Sequence, residues 1–186
     1  MSIIAENKLE EQIMQDPEWV EGSHWGMTRE GHPEGLVIYH IEDVLQNVNN
    51  LGISADKKEK LRIIAIIHDT FKYKVDILKS KVGRNNHAVL ARIFAEKYIQ
   101  DKSLLRIIEQ HDEVFNAWKK GCATGAWDKT EERLNNLLQL LGDEADLYYL
   151  FFRCDNETGD KSQECVWWFE KFLQEKGLNF NDLNKK

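Results

Sequence analysis

Six residues of metal-binding type stand at positions that helical spacing would turn inward: His40, the adjacent pair His68-Asp69, His87, His111 and Asp155. The pair closes a strongly apolar run, Ile63-Ile64-Ala65-Ile66-Ile67. A buried imidazole or carboxylate costs free energy unless something satisfies it, and a metal ion is the usual remedy. Taken singly, each histidine reads as a core residue bonded to a backbone carbonyl. Taken together the six read differently, because aspartate is rarely buried without a partner. The order H…HD…H…H…D suits a two-metal site assembled from several helices, so the pattern predicts a metalloenzyme.

Helices are the elements that must position these groups. Residues three or four apart share a helix face. His40 then lies with Leu36 and Val44, His68 with Leu61 and Ile64, and His87 with Ala91 and Phe94. His111 lies with Leu104, Ile107 and Ile108, and Asp155 with Leu147 and Phe151. Asp69, one step round from His68, can grip the same ion from a second direction or bridge two. The predicted helices run over about 3–15, 36–51, 54–69, 86–98, 101–115, 128–142, 143–152 and 160–177. Ser54, Asn85 or Asn86, Asp101, Asp128 and Asp143 are the cap residues. Pro17 and Pro33 flank a glycine-bearing loop, and a second loop is expected over Gly121–Ala126. No segment alternates with period two, so the expected fold is all-α, a single-domain bundle of about seven to eight helices. Its expected division is an N-terminal helix and loop (1–34), the main domain (35–176) and a polar C-terminal tail (177–186).

The bulk numbers agree with this. A chain of 186 residues, 42% hydrophobic and 31% charged, can bury one sizeable core. Its net charge of −7 disfavours long nucleic acid and acidic membranes as partners. A small phosphorylated substrate remains compatible, since a metal pair reverses the local field. Three cysteines, Cys122, Cys154 and Cys165, give an odd number without paired spacing and read as reduced thiols. With no signal-like N-terminus and no membrane-length apolar run, a cytoplasmic location is expected.

His40, His68-Asp69 and Asp155 together resemble the HD superfamily of metal-dependent phosphohydrolases, over about residues 35–160. His87 and His111 match the further histidines of members that hold two metals. The resemblance implies one ion on His40, His68, Asp69 and Asp155, and a second on His87 and His111 with Asp69 bridging. It implies two divalent cations (Fe, Mn, Co, Zn or Mg) and a water or hydroxide between them as nucleophile. The family motif often continues HD-x-x-K, and here it reads His68-Asp69-Thr70-Phe71-Lys72. Asp69 and Lys72 are therefore the catalytic candidates, Lys72 as a contact to a phosphate oxygen or, blandly, as a surface lysine at a helix end.

Weaker candidates for substrate contact are His32, Glu34, Arg84 and Lys161, each with an ordinary loop or helix-surface explanation. Asp112, which repeats the letters HD after His111, is expected to turn to solvent. Trp118 and Trp127 bracket the second loop and offer a stacking surface for a base. An exposed ring of the Trp167-Trp168 pair would suit a homodimer contact. The resemblance implies hydrolysis of a small phosphoester, a nucleotide or phosphodiester. Two alternatives share the same residues: an HD-fold di-iron oxygenase acting on a small hydroxylated substrate, and a non-catalytic nucleotide-binding module.

Overall fold

The structure, a computed structural model, describes residues 3–30 and 33–180. Its helices are α1 (Lys8–Gln15), α2 (Pro17–Ser23), α3 (Val37–Asn50), α4 (Ala55–Ile67) and α5 (His87–Ala95). They continue as α6 (Lys102–Gln110), α7 (Glu113–Thr124), α8 (Trp127–Leu141), α9 (Ala145–Asn156) and α10 (Glu164–Glu175). The described residues contain no strand, and an isolated bridge joins Gly26 to Leu36, so the fold is all-α as the periodicity predicts. None of these helices is long and apolar enough to cross a membrane.

Two helices form where loops are expected. The Asp16 side chain accepts from the Glu18 N–H and Pro17 occupies the first turn, so a cap and a pre-set φ start α2 despite its shortness. In α7 the helix runs through Gly121 because the Trp127 ring lies directly against it; a Cβ there would stand 2.4 Å from the ring. Trp127 also meets Trp168, with ring centroids 5.8 Å apart, and Trp118 meets Phe115. Both tryptophans proposed as a stacking surface are thus engaged in packing with other rings. Cys122, Cys154 and Cys165 are free thiols.

At the centre lie α4 and α9. Every residue of α4 from Leu61 to Ile67 is buried, as is every residue of α9 from Leu147 to Phe152. A helix apolar on all sides must be wrapped by others. Here α3 packs on both, α6 and α1 cover α4, and α2 packs on α3. The outer pairs are α5 with α6 and α7 with α8, and α10 lies against α7. One charge interrupts the buried surface of α4. Arg62 forks onto Glu10 of α1, with Nε donating to Oε1 at 2.9 Å and a terminal nitrogen to Oε2 at 2.8 Å.

The C-terminus of α4 is held with particular care. A helix end leaves carbonyls without partners. The Thr70 hydroxyl donates to the carbonyls of Ile66 and Ile67, and the Trp19 indole of α2 donates to Ile66 at 2.8 Å. Gly22 of α2 lets that helix approach the Thr70 carbonyl so closely that a Cβ would fall 1.8 Å from its oxygen. The residues so fixed flank His68-Asp69.

Candidate metal centre

His40 comes from the first turns of α3, where the chain is anchored by the Val37 N–H donating to the Trp25 carbonyl. His68 and Asp69 leave the end of α4, His87 opens α5, His111 follows the last residue of α6, and Asp155 is the penultimate residue of α9. Four of the five elements present their groups from a terminus, where the chain can aim a side chain inward without burying helix backbone.

The imidazoles meet in two pairs. His40 Nε2 lies 3.3 Å from His68 Nε2, and His87 Nε2 lies 3.2 Å from His111 Nε2. His68 Nδ1 donates to the Ala65 carbonyl at 2.9 Å, and His111 Nδ1 to the Ile108 carbonyl at 2.8 Å. A carbonyl only accepts, so Nδ1 carries the hydrogen in each ring. The neutral form of each ring then turns the Nε2 lone pair toward its neighbour. In that form His68 and His111 each offer a ring nitrogen able to ligate a cation where the rings meet.

Asp69 joins the two pairs. Its Oδ2 lies 3.6 Å from both His40 Nε2 and His68 Nε2. Its Oδ1 lies 3.4 Å from His87 Nε2 and 3.5 Å from His111 Nε2. His40, His68 and Asp69 thus form one group able to hold an ion, and Asp69, His87 and His111 a second. Asp155 Oδ1 adds a carboxylate beside the first group, 2.9 Å from His40 Nε2 and 3.9 Å from His68 Nε2. The Phe151 ring closes the wall behind, its centroid 5.2 Å from that of His68 and 6.4 Å from that of His111.

Positive charge already converges on these carboxylates. Lys72 Nζ donates to Asp69 Oδ2, and Lys161 Nζ donates to both the carbonyl and Oδ1 of Asp155 at 2.9 Å. Burial works against the charge of Asp69, but Lys72 and the neighbouring imidazoles outweigh it and hold the carboxyl well below its usual range. Burial opposes Asp155 likewise, and Lys161 and His40 outweigh it. The histidines divide. Burial drives His68 down to about 3, keeping it neutral. Burial also opposes a charged His111, yet Asp112 and Asp69 carry its pKa up to about 9. A proton on His111 thus supplies the positive charge that the second group demands. Donor types, convergence and demand for positive charge all fit divalent ions.

The structure moves several residues from their expected places. Glu34, a candidate for substrate contact, sits instead behind His40, its Oε1 3.5 Å from His40 Nδ1 and its side chain only 9% exposed. The Thr158 hydroxyl reaches the same nitrogen at 3.4 Å, a contact with no signal in helical periodicity. Asp112 is partly exposed as expected, its side chain 37% accessible, yet it also faces the histidines: its Oδ2 lies 3.3 Å from His87 Nε2 and its Oδ1 3.7 Å from His111 Nε2. Arg84 is exposed in a 3₁₀ turn, Gly83–Asn85, and His32 lies outside the described residues. Asn86 caps α5 through the Ala88 N–H, and Asn85 ties the preceding loop to Asp76.

A family model described as the HD domain matches residues 37–148. The match takes in His40, His68, Asp69, His87 and His111 and stops short of Asp155. No curated protein and no solved structure matches the chain.

Proposed function

The chain belongs to the HD-domain family, a family of metal-dependent phosphohydrolases, and on that premise we propose that it cleaves a small phosphoester, a nucleotide or phosphodiester, at a two-ion centre. The supporting observation is the pair of histidine couples divided over the two oxygens of Asp69, with Nδ1 of His68 and His111 already committed to backbone carbonyls. Divalent ions, when bound, would supply an activated water and Lewis-acid stabilisation of the phosphoryl group.

The ligand set we propose is His40, His68, Asp69 and Asp155 for one ion, and Asp69, His87 and His111 for the other. Their carbonyl and hydroxyl partners fix ring orientation before any ion arrives, which lowers the reorganisation needed on binding. Lys72 acts as a charge and not as a base. Burial would lower its pKa, but Asp69 and Asp112 hold it above the ordinary lysine value, so its ammonium is available to a phosphoryl oxygen. We place access past His87 and Lys72, the most exposed of the proposed ligands and its neighbouring ammonium. Side-chain exposure is 1–3% at His40 and His68 but 16% at His87, with Lys72 at 22%. A substrate would therefore approach across His87 and Lys72, with Phe151 and α9 excluding water from behind.

The test is elemental analysis of the purified protein together with phosphate release from a panel of nucleotide phosphoesters under added manganese, cobalt or iron. Two ions per chain and ion-dependent release are expected. Two irons with no release from any ester would replace this reading with the oxygenase. Failure to bind any ion under all loading conditions would remove the centre itself.

A further inference from the structure

The geometry points to Asp112 as a further ligand of the second ion. This inference rests on the two-ion reading and extends its ligand set. Without Asp112 the two groups are unequal: the first has two imidazoles, one oxygen of Asp69 and the carboxylate of Asp155, while the second has two imidazoles and the other oxygen of Asp69. Asp112 restores the balance. Its two oxygens lie 3.3 Å from His87 Nε2 and 3.7 Å from His111 Nε2. Those nitrogens are themselves 3.2 Å apart and lie 3.4 and 3.5 Å from Asp69 Oδ1. Asp69, His87 and His111 form the three-donor group, and Asp112 sets a fourth donor side chain beside its two imidazoles.

The backbone explains why this carboxylate is available. Asp112 directly precedes α7, a position where aspartate ordinarily accepts a hydrogen bond from the helix's first N–H groups. That bond needs an extended backbone at the cap. Here φ is −87° and ψ is −3°, and the side chain makes no capping bond. That capping interaction is forgone, and the carboxylate faces the histidines instead. The tight turn between α6 and α7 also brings the adjacent side chains of His111 and Asp112 to one point, just as the end of α4 does for His68 and Asp69.

A second carboxylate changes the character of the site. Imidazoles accept zinc, iron or nickel readily, whereas carboxylates favour harder ions such as manganese and magnesium. Two imidazoles with two carboxylates therefore tilt the second site toward manganese relative to the three-donor set.

Calorimetric titration of manganese into the metal-stripped full-length protein decides the matter. Wild type is expected to take up two equivalents. Asp112→Asn should keep the first and bind the second at least about 100-fold more weakly, since even partners outside the ligand shell are worth 10–100-fold in affinity. Asp155→Asn should weaken the opposite equivalent. Asp112→Glu, which keeps a carboxylate, should recover part of the loss; if Asp112→Asn loses the second ion and Asp112→Glu does not recover it, the effect is structural and the inference falls. Two equivalents at unchanged affinity in Asp112→Asn would also overturn it while leaving the two-ion reading intact. Fewer than two equivalents in wild type would overturn both.

Discussion

Replacing Gly22 by alanine separates two ways of reasoning about this chain. Gly22 lies inside α2 with no positive φ, so local propensity alone says that alanine stabilises the helix, by about 1 kcal/mol. The tertiary structure says the opposite. The new Cβ would stand 1.8 Å from the Thr70 carbonyl oxygen and 2.9 Å from its carbon. Ordinary contact for such a Cβ is 3.4–4 Å, so α2 and the Thr70 turn would have to separate by more than about 1 Å. The obstacle is backbone, with no rotamer to relieve it. Overpacking of this kind costs about 1–3 kcal/mol and sometimes more. Separation also strains the Trp19 bond to the Ile66 carbonyl, and a net loss near 2 kcal/mol is expected. For a chain of this size that lowers Tm by about 4–8 °C. Thr70 follows Asp69, so the displacement reaches the metal centre and weakens ion binding as well. Thermal and urea unfolding of the metal-stripped protein measure the first effect, and manganese titration the second. A Gly22→Ala protein as stable as wild type, or more so, would refute the reasoning.

Three further outcomes follow from single contacts. Glu10→Ala leaves the buried Arg62 guanidinium with the half-exposed Glu6 carboxylate and the Ile4 and Asn49 oxygens and should cost about 2–3 kcal/mol in urea unfolding, while Glu10→Leu combined with Arg62→Met recovers most of it; a single variant within about 1 kcal/mol of wild type would contradict this. Glu34→Ala removes the carboxylate behind His40 and should weaken the first ion about 10–100-fold while sparing the second, so equal affinities in titration would dissociate Glu34 from the centre. Asp16 has a pKa below its ordinary 3.8: burial opposes its charge, but the Tyr98 hydroxyl at 2.6 Å, the Glu18 N–H and Lys97 outweigh it. A depressed folded pKa contributes stability that is present above the unfolded value and lost as pH falls through the folded one. Unfolding free energy should thus decline below about pH 4, and Asp16→Asn should flatten that decline; an unchanged slope would exclude the contact as its source.

The amino-acid sequence alone determines that the chain is helical and which metal-binding side chains its helices bring together. Apolar residues recur at helical spacing, and the cap residues Ser54, Asn86 and Asp101 each accept the hydrogen bond expected of them. The six residues singled out by type converge because each adjoins an apolar stripe that must be buried. The Asp16-Pro17 start of α2 was also present as a local signal, obscured by Gly22, whose conformational freedom argues for a loop until its contact with Thr70 is known.

What only the tertiary structure decides lies at helix ends and across long stretches of chain. Periodicity assigns a face to a residue by rotating about 100° per step, and that rule lapses where the helix stops. By rotation, Asp112 belongs on the side away from His111; the turn into α7 cancels that rotation and brings it to the same centre. Glu34, Thr158 and Lys161 likewise reach His40 and Asp155 from loops that have no repeat to read. Whether a carboxylate faces water or an ion depends there on how two helices cross. That crossing is set by close packing of the whole core, to which no short run of residues holds the key.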